Sequence, residues 1–386
     1  MGDPNSYGFR KHRSCRDALC YIFRCLHLKS AAQWIYEADI KGCFDNISHE
    51  WLLKFIPIDK QILRKWLKCG YIEQGKLHPT IAGTPQGGII SPTLMNMTMD
   101  SLEKLIKKQF PKWRLTKEGK SMCVNFVRYA DDFIITAASR EIIENEIAPL
   151  VEAFLKKRGL SLSPDKTKIT PISEGFDFLS QNTRKYNNGK LLQKPSDKAI
   201  VEIRHKLRQI VFQNLGATAH KLITKLNSTL RGWTNYHRHV VSKEIFKEID
   251  LYLWKLLGKW CKRRHPNKSW KWIRAKYFSA SGELCTFAAI KTFKKENKLK
   301  IYKLFRAGKV AIIRHVKIKS EANPFVKEDE NYYKLRLLNL KKQSDKTKQS
   351  CIILKNVKDI NKTLLNLWKV KPVESEKKLL RDARAA

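Results

Sequence analysis

The sequence is short of acids: its 386 residues hold 36 Asp and Glu against 77 Lys and Arg, a formal charge of +41. A folded chain with that surplus repels itself unless a polyanion neutralises it, so nucleic acid is the expected partner. Nine cysteines include no C-x2-C pair, which argues against a zinc ribbon or a dithiol redox motif. Scattered through apolar segments, they read as buried free thiols of a reducing compartment, with a zinc site assembled from distant Cys and His as the alternative. No apolar run approaches the ~20 residues that span a bilayer, and the N-terminus lacks a signal-peptide pattern, so no membrane partner is expected. No internal repeat is evident.

What is abundant points to packed domains. Ten Trp, 12 Tyr and 17 Phe supply more apolar surface than a disordered chain carries, and the length suits two or three domains. The charge is unevenly spread, at net +10 over residues 1–190 and net +31 over 191–386. The second half therefore reads as the polyanion grip, and the first half keeps its acids as a catalytic domain would.

Local patterns fill in the first half. Residues 33–44 place Trp34, Tyr36 and Ala38 on one face of a strand that delivers Asp39 near its end. Ser48 is suited to cap a helix from His49, and residues 59–69 predict a helix burying Ile62, Leu63, Trp66 and Leu67. Ser91 and Pro92 form an N-cap and N1 pair for a helix running towards Gln109. Residues 123–138 predict a hairpin turning at 130–132, and 141–158 a helix closed by Gly159. Short strands follow near 160–162, 168–171 and 176–179, giving an α+β first half. From Asp197 the pattern is mostly helical, while 294–300 and 341–348 read as solvated linkers or RNA-facing loops.

Two acids need a special explanation. Asp131 and Asp132 stand together in the turn of an apolar hairpin, where like charges cost energy unless a cation neutralises them. With Asp39 they offer three carboxylates and no paired His or Cys, a donor set for Mg2+ or Mn2+. Two such ions clamp in-line phosphoryl transfer, which on a +41 chain suggests nucleotide polymerisation; a plain polar turn is the competing reading. Phe44, five residues after Asp39, is either a floor under an incoming sugar or a core aromatic. Gln86, in the glycine-rich stretch 83–88, offers one amide that donates and accepts, though such stretches are commonly turns. Lys166 is either a proton donor to pyrophosphate or a solvated lysine. In the second half Arg231, Arg238, Lys259, Arg263 and Arg264 interleave with Trp233, Trp254, Trp260, Trp270 and Trp272; the cations are assigned to RNA and the rings to helix packing.

The motifs are recognisable together and in order. Ser6-Tyr7-Gly8-Phe9-Arg10, ADIKGCFDNI at 38–47, GTPQGGIISP at 83–92, YADDF at 129–133, GLSLSPDKTK at 159–168 and FDFL at 176–179 resemble successive blocks of reverse transcriptases encoded by group II introns. RGWTNYHRH at 231–239 resembles their maturase, or thumb, domain, and 313–325 a stretch downstream of it. The resemblance implies a right-hand polymerase, with palm and partial fingers over 1–190, an all-α thumb over 191–330 and a basic C-terminal segment over 331–386. It assigns Asp39, Asp131 and Asp132 to two Mg2+ ions, or Mn2+, and Phe44 to a gate against the ribose 2′-hydroxyl. It also assigns Gln86 to the nascent base pair and Phe178 and Leu179 to gripping the primer.

Departures from the family shape the expectations. Position 11 carries Lys where the family usually has Pro, and Ser180 stands where it has Gly. The family's first block is missing, so Arg10 and Arg13 in the second block are expected to hold part of the triphosphate charge, and a separate chain is a possible source of the remaining fingers. No cysteine and histidine cluster of the family's endonuclease domain is found. The expected function is RNA-directed DNA polymerisation with maturase activity on intron RNA, using RNA template, DNA primer and deoxynucleoside triphosphates, in a bacterial cytoplasm or an organelle. The alternative is a polymerase-derived RNA-binding splicing factor with impaired catalysis, or a truncated fragment.

Overall fold

A computed structural model describes residues 2–73, 76–78, 80, 82–84, 88–279, 285–293, 298–345 and 351–354. The chain divides into two compact units, Met1–Gln193 with His315–Leu335, and Lys194–Arg314 with Arg336–Ala386. Residues 315–335 thus join the first unit, where the sequence reading put 315–330 with the second. The cause is a buried carboxylate: Asp17 accepts from the Ile318 amide at 2.8 Å and bonds His315 Nε2 at 2.9 Å.

In the first unit, α1 (Cys15–Leu26) starts at a capping box between Ser14 and Asp17. Strand β1 (Trp34–Ala38) lies between two antiparallel partners in a four-stranded sheet, pairing with residues 133–137 on one side and 168–171 on the other. The short helices α2 (Cys43–Asn46), α3 (His49–Phe55) and α4 (Lys60–Lys68) follow. Ser48 caps α3 by accepting from the Trp51 amide, as its sequence position implies. On α4 only Leu63 and Leu67 are buried; Ile62 and Trp66, expected inside, are 47% and 42% exposed. A nine-residue helix has one narrow covered stripe, and these two fall beside it.

After the small ribbon β2 (Tyr71–Glu73) and β3 (Lys76–His78), the helix expected to run to Gln109 is two helices, α5 (Ser91–Met99) and α6 (Leu102–Gln109). Ser101 breaks it with a φ of 79°, and the Asp3 carboxylate caps the new start by accepting from the Ser101 and Glu103 amides at 3.1 and 3.2 Å. The cap residue lies almost a hundred positions away, so no local pattern announces the break. Strands β4 (Asn125–Tyr129) and β5 (Asp132–Ala137) form the expected hairpin, with Tyr129 paired to Asp132 across a two-residue turn.

A continuous helix follows as α7 (Arg140–Ile142), a π-helical turn (Ile143–Ile147) and α8 (Ala148–Lys156). Strand β6 (Lys168–Pro171) completes the sheet on the far side of β1. Of the strand expected at 160–162, only a single bridge from Leu162 to Ile40 forms. A second sheet joins β7 (Phe176–Phe178), β8 (Gln181–Lys185) and β9 (Leu191–Pro195). Leu179 and Ser180 make the β7–β8 turn with φ values of 49° and 60°. Two successive positive φ angles suit Gly and Asn, which explains the cost of Ser180 at this position.

The second unit packs α9 (Asp197–Phe212), α10 (Ala219–His237) and α11 (Lys243–Arg264) around Leu207, Leu226, Leu253 and Leu257. Beyond α12 (Trp270–Ile273) the expectation of an all-α domain fails. Strands β10 (Ala288–Phe293), β11 (Lys298–Lys303) and β12 (Cys351–Leu354) form an antiparallel sheet. Of the stretch 294–300 expected as a loop, 294–297 lie outside the described residues and the rest begins β11, where Leu299 and Ile301 are buried and Lys300 between them is not; the alternation has a period of two. Residues 341–345 are likewise helical, at the end of α13 (Glu330–Asp345). Rings knit the unit together: Trp260 meets Tyr277 and Phe287 edge-on at 6.1 Å each, and Trp254 meets Trp270 at 5.7 Å.

Of the cysteines expected to be buried, Cys43 and Cys261 are, Cys15, Cys20, Cys25, Cys123 and Cys285 are half-buried and Cys69 is exposed, and these eight are free thiols. Among the described residues no helix is long and apolar enough to cross a membrane.

Candidate active site

Three carboxylates meet at one end of the four-stranded sheet. Ala38, the last residue of β1, pairs with Phe133, so Asp39 emerges beside Asp132 at the start of β5. Asp131 sits in the turn with Ala130, whose φ is 59°. The loop after Leu162 docks on the same strand end through Ser163 N, which donates to the Asp39 carbonyl at 2.8 Å. It brings Lys166 Nζ to 3.2 Å from Asp39 Oδ2, although the lysine is itself 70% exposed.

The grouping is electrostatically tense. Asp132 is exposed as a residue, yet the surrounding protein partly desolvates its carboxyl, and with repulsion from Asp131 and Asp39 this pushes its pKa up to about 6. Lys166 is the cation that offsets part of this. Burial, reinforced by the charges of Asp131, Asp39 and Asp45, pushes the Cys43 thiol up to about 12, so it offers no thiolate. The only ionised donors are oxygens, which fits a hard divalent cation and not a thiophilic one. Among the described residues no three acid, His or Cys side chains are closed into a ready ligand cage. The acids are near enough to repel and stand apart.

The turn is held from behind by residues the sequence reading missed. Arg128 is fully buried, and its guanidinium bonds Asp100 at 2.8 Å, Asn96 Oδ1 at 3.0 Å and the Ala130 carbonyl at 3.3 Å. Its backbone pairs with the N-terminal segment, Tyr7 N donating to Arg128 O at 2.9 Å and Arg128 N to Asn5 O at 3.1 Å. That pairing lays Gly8 on the turn, where an added Cβ would meet the Ala130 nitrogen at 2.3 Å. Asn96 Nδ2 donates to the Gly8 carbonyl at 3.0 Å and ties the two together. An arginine inside the apolar run Phe126-Val127-Arg128-Tyr129 was the available signal.

Phe44 lies half-buried on α2 against the main core, and its carbonyl accepts from the Thr84 amide at 2.6 Å. The start of the glycine-rich stretch is thus fastened under α2; a Cβ on Gly83 would strike the Phe44 carbonyl oxygen at 2.2 Å. Gln86 lies outside the described residues. Arg10 and Arg13, expected to hold part of the triphosphate charge, are engaged by backbone carbonyls. Arg10 bonds the carbonyls of Asp3 and Ser6, and Arg13 those of Pro4, Ser6 and Ser320.

Phe178 is 6% exposed in the core, so only Leu179 stands at the turn. In the second unit Lys259 and Arg263 are exposed on α11, and Arg264 is exposed but donates to the Ala217 carbonyl at 2.7 Å. Arg231 is half-buried over the Phe305 ring, and Arg238 is 7% exposed. Of these two, both expected to face RNA, Arg238 is withdrawn into the unit just past the end of α10 and Arg231 is half covered.

Comparison with known proteins agrees with this geometry. The family pattern described as "Reverse transcriptase (RNA-dependent DNA polymerase)" matches residues 1–183, and "Group II intron, maturase-specific domain" matches residues 200–278. The chain belongs to the group II intron-encoded reverse transcriptases and maturases. "Group II intron-encoded protein LtrA" of Lactococcus lactis subsp. cremoris is 29% identical over 317 residues, 60% of this chain and 52% of that protein. "Protein YkfC" of Escherichia coli is 28% identical over 57% of this chain and 64% of its own. The "Uncharacterized 91 kDa protein in cob intron" of Schizosaccharomyces pombe is 28% identical over 62% and 38%. The chain spans about half the length of LtrA. Reverse transcriptases generally work with divalent metal ions, in keeping with the all-oxygen donor set found here.

Proposed function

We propose that the chain is an RNA-directed DNA polymerase that also binds intron RNA and assists its splicing. The observation that carries the reading is the gathering of Asp39, Asp131 and Asp132 at one sheet end, with the Lys166 ammonium set beside them. Two Mg2+ ions, or Mn2+ in their place, held by these three carboxylates would acidify a primer hydroxyl and neutralise the leaving pyrophosphate.

The remaining work falls to the chain's own groups. Phe44, fixed by the Thr84 amide, stands five residues beyond Asp39, where a ring excludes a ribose 2′-hydroxyl. Gln86 is assigned to the nascent base pair. Lys166 holds an exposed ammonium beside Asp39 and is suited to give its proton to pyrophosphate. Leu179 at the β7–β8 turn supplies an apolar contact for the primer, and Lys259 and Arg263 supply phosphate contacts on the second unit. RNA template, DNA primer and deoxynucleoside triphosphates are the partners this chemistry needs, and a bacterial cytoplasm or an organelle is the setting we propose for it.

One observation favours a second reading, an RNA-binding splicing factor with weakened catalysis: Arg10 and Arg13 are engaged by backbone carbonyls and not held open for a triphosphate. Primer extension with Asp131→Asn decides. The polymerase reading expects loss of Mg2+-dependent extension with RNA affinity kept within about twofold, because affinity comes from phosphate contacts spread over the basic surface. Extension absent from the unaltered chain, with RNA binding intact, establishes the second reading instead.

A further inference from the structure

His49, the first residue of α3, ties the glycine-rich stretch to the frame that carries Phe44. Side chains at the start of a helix lean back towards its N-terminus, which suits this ring to reach chain lying along Ile47. Its Nε2 lies 2.6 Å from the Gly83 carbonyl, 34 residues away in sequence. A carbonyl only accepts, so Nε2 is the donor of this bond. A ring nitrogen engaged in this way acts through position and not by proton transfer to a substrate.

The segment it holds caps α2. A four-residue helix leaves its last carbonyls without internal partners, and here they are met from outside: Gly83 N donates to Ile47 O at 2.9 Å and Thr84 N to Phe44 O at 2.6 Å. Gly83 has no slack in this seat. Its φ is +73°, and an added Cβ would meet the Phe44 carbonyl oxygen at 2.2 Å and the Asp45 carbonyl carbon at 2.4 Å. Thr84 is buried beside it. On its other side α2 is fixed to the chain leaving β1, since Asn46 Nδ2 donates to the Lys41 and Gly42 carbonyls at 2.9 and 3.1 Å and Lys41 N to Ser161 O at 3.0 Å. The two capping amides are backbone groups that nearly any residue supplies; the bond to the Gly83 carbonyl is the contribution of one particular side chain.

We propose that His49 is a specificity-determining positioning residue: by holding Gly83 it keeps the cap seated on α2 and so fixes the Phe44 ring against the sugar of the incoming nucleotide. The inference rests on the reading of Phe44 as the gate against a ribose 2′-hydroxyl. Two features select sugar discrimination over general support of the site. The cap acts on the Phe44 carbonyl itself, whereas Asp39 is held through Ser163 N on its own carbonyl at 2.8 Å, and the turn bearing Asp131 through Arg128 and Gly8. A gate also works by excluding one hydroxyl, so a small displacement of its ring is felt by a ribonucleotide and little by a deoxynucleotide, which has no 2′-oxygen to exclude.

The test uses the full chain on an RNA template with a DNA primer and reads the ratio of kcat/KM for deoxy- and ribonucleoside triphosphates. The variants are His49→Leu, His49→Gln, Phe44→Val and His49→Leu/Phe44→Val. Leucine removes the donor, and glutamine returns an amide N–H close to where Nε2 stood. His49→Leu should lower the preference for deoxynucleotides roughly tenfold, the scale of losing one steric discrimination, while His49→Gln should hold it within about twofold of the unaltered chain. In the Phe44→Val background His49→Leu should move the ratio by less than about twofold, because no ring is left to position. Equal losses of kcat/KM for both sugars in His49→Leu, up to complete loss of extension, would make His49 a structural residue and overturn the assignment. An equal change in ratio with glutamine, or full additivity in the double variant, would overturn it as well. A ratio moved by Phe44→Val and untouched by His49→Leu would overturn the role of His49 and leave the gate standing; a ratio unmoved by Phe44→Val would overturn the gate and the inference with it. Failure of the unaltered chain to extend primers would overturn the polymerase reading on which both rest.

Discussion

Replacing Arg128 by Met tests whether the buried network behind the hairpin turn sets the geometry of the acids in front of it. Methionine keeps much of the side chain's length and removes its charge and donors. The pair with Asp100 is 2.8 Å long, with Arg128 at 0% and Asp100 at 23% side-chain exposure. Removing one partner of a buried pair costs about 3–5 kcal/mol, and the water available to Asp100 puts this case near the lower end. Asn96 Oδ1 and the Ala130 carbonyl lose donors as well, at roughly 1 kcal/mol each. Against these losses stands relief of the unpartnered Arg128 Nε, a gain of about 1 kcal/mol. The net is about 4 kcal/mol, which at ~2–4 °C per kcal/mol for a domain of this size lowers the melting temperature by roughly 8–16 °C. Differential scanning fluorimetry measures it. A second variant, Arg128→Met/Asp100→Leu, should recover about half of the loss, since it removes the stranded Asp100 charge and leaves only the more distant Asp3 without its cation. Primer extension should fall in both, because neither restores the bond to Ala130. A single variant melting within about 2 °C of the unaltered protein and extending primers at the same rate would refute the idea that the turn is held from behind.

Gly8→Ala should push the turn away, since the new methyl would meet the Ala130 nitrogen at 2.3 Å; extension should drop by roughly a hundredfold from misplacement of Asp131, and unchanged kcat would show that the contact yields elsewhere. Asp250, on α11, accepts from the Ala307 and Gly308 amides at 2.9 and 2.8 Å, yet burial pushes its carboxyl up to about 6. A carboxyl raised on folding binds its proton more tightly in the native state, so its contribution to stability falls as pH rises from about 4 to 6. Asp250→Asn should therefore gain on the unaltered protein in urea melts between pH 5 and pH 7.5, and a constant difference would show that Asp250 does not titrate in that range.

The acids were legible because each is a chemical contradiction in its own neighbourhood: charged residues between Phe126, Val127, Phe133 and Ile134 demand a reason, and strand periodicity brings Asp39 to the same end. Local caps such as Ser48 were equally readable, since the donor amide lies three residues away. What escaped was whatever depends on distant partners. Asp3 splits a helix almost a hundred residues downstream, and Asp17 draws 315–335 back to the first unit across some three hundred. Arg10 and Arg13 were assigned to the triphosphate with no sign of their backbone partners for a similar reason, because the carbonyls that engage them belong to a loop fold that no spacing reveals. The sheet at β10 and β11 was legible in principle, as Lys298-Leu299-Lys300-Ile301 alternates, but the density of lysine concealed its period.

The arrangement of charge on either side of the turn explains how a cluster of acids is kept unsatisfied without unfolding its surroundings. Behind the turn, Arg128 is compensated by Asp100 within 2.8 Å and feels the charge of Asp3, so that side is near neutrality and rigid. In front, Asp39, Asp131 and Asp132 face one exposed lysine, and the excess charge raises the Asp132 pKa. If both sides were neutralised by side chains, a metal ion would have to displace a bound cation and pay its full release. If neither were, the repulsion would open the turn. Fixing the backbone through Ala130 and Gly8 separates these demands: the position of the carboxylates comes from the neutral network, and their reactivity from the unneutralised face. Lys166 fits the same logic, since a flexible exposed ammonium beside Asp39 lowers the repulsion in the empty site and can swing away when a stronger cation arrives.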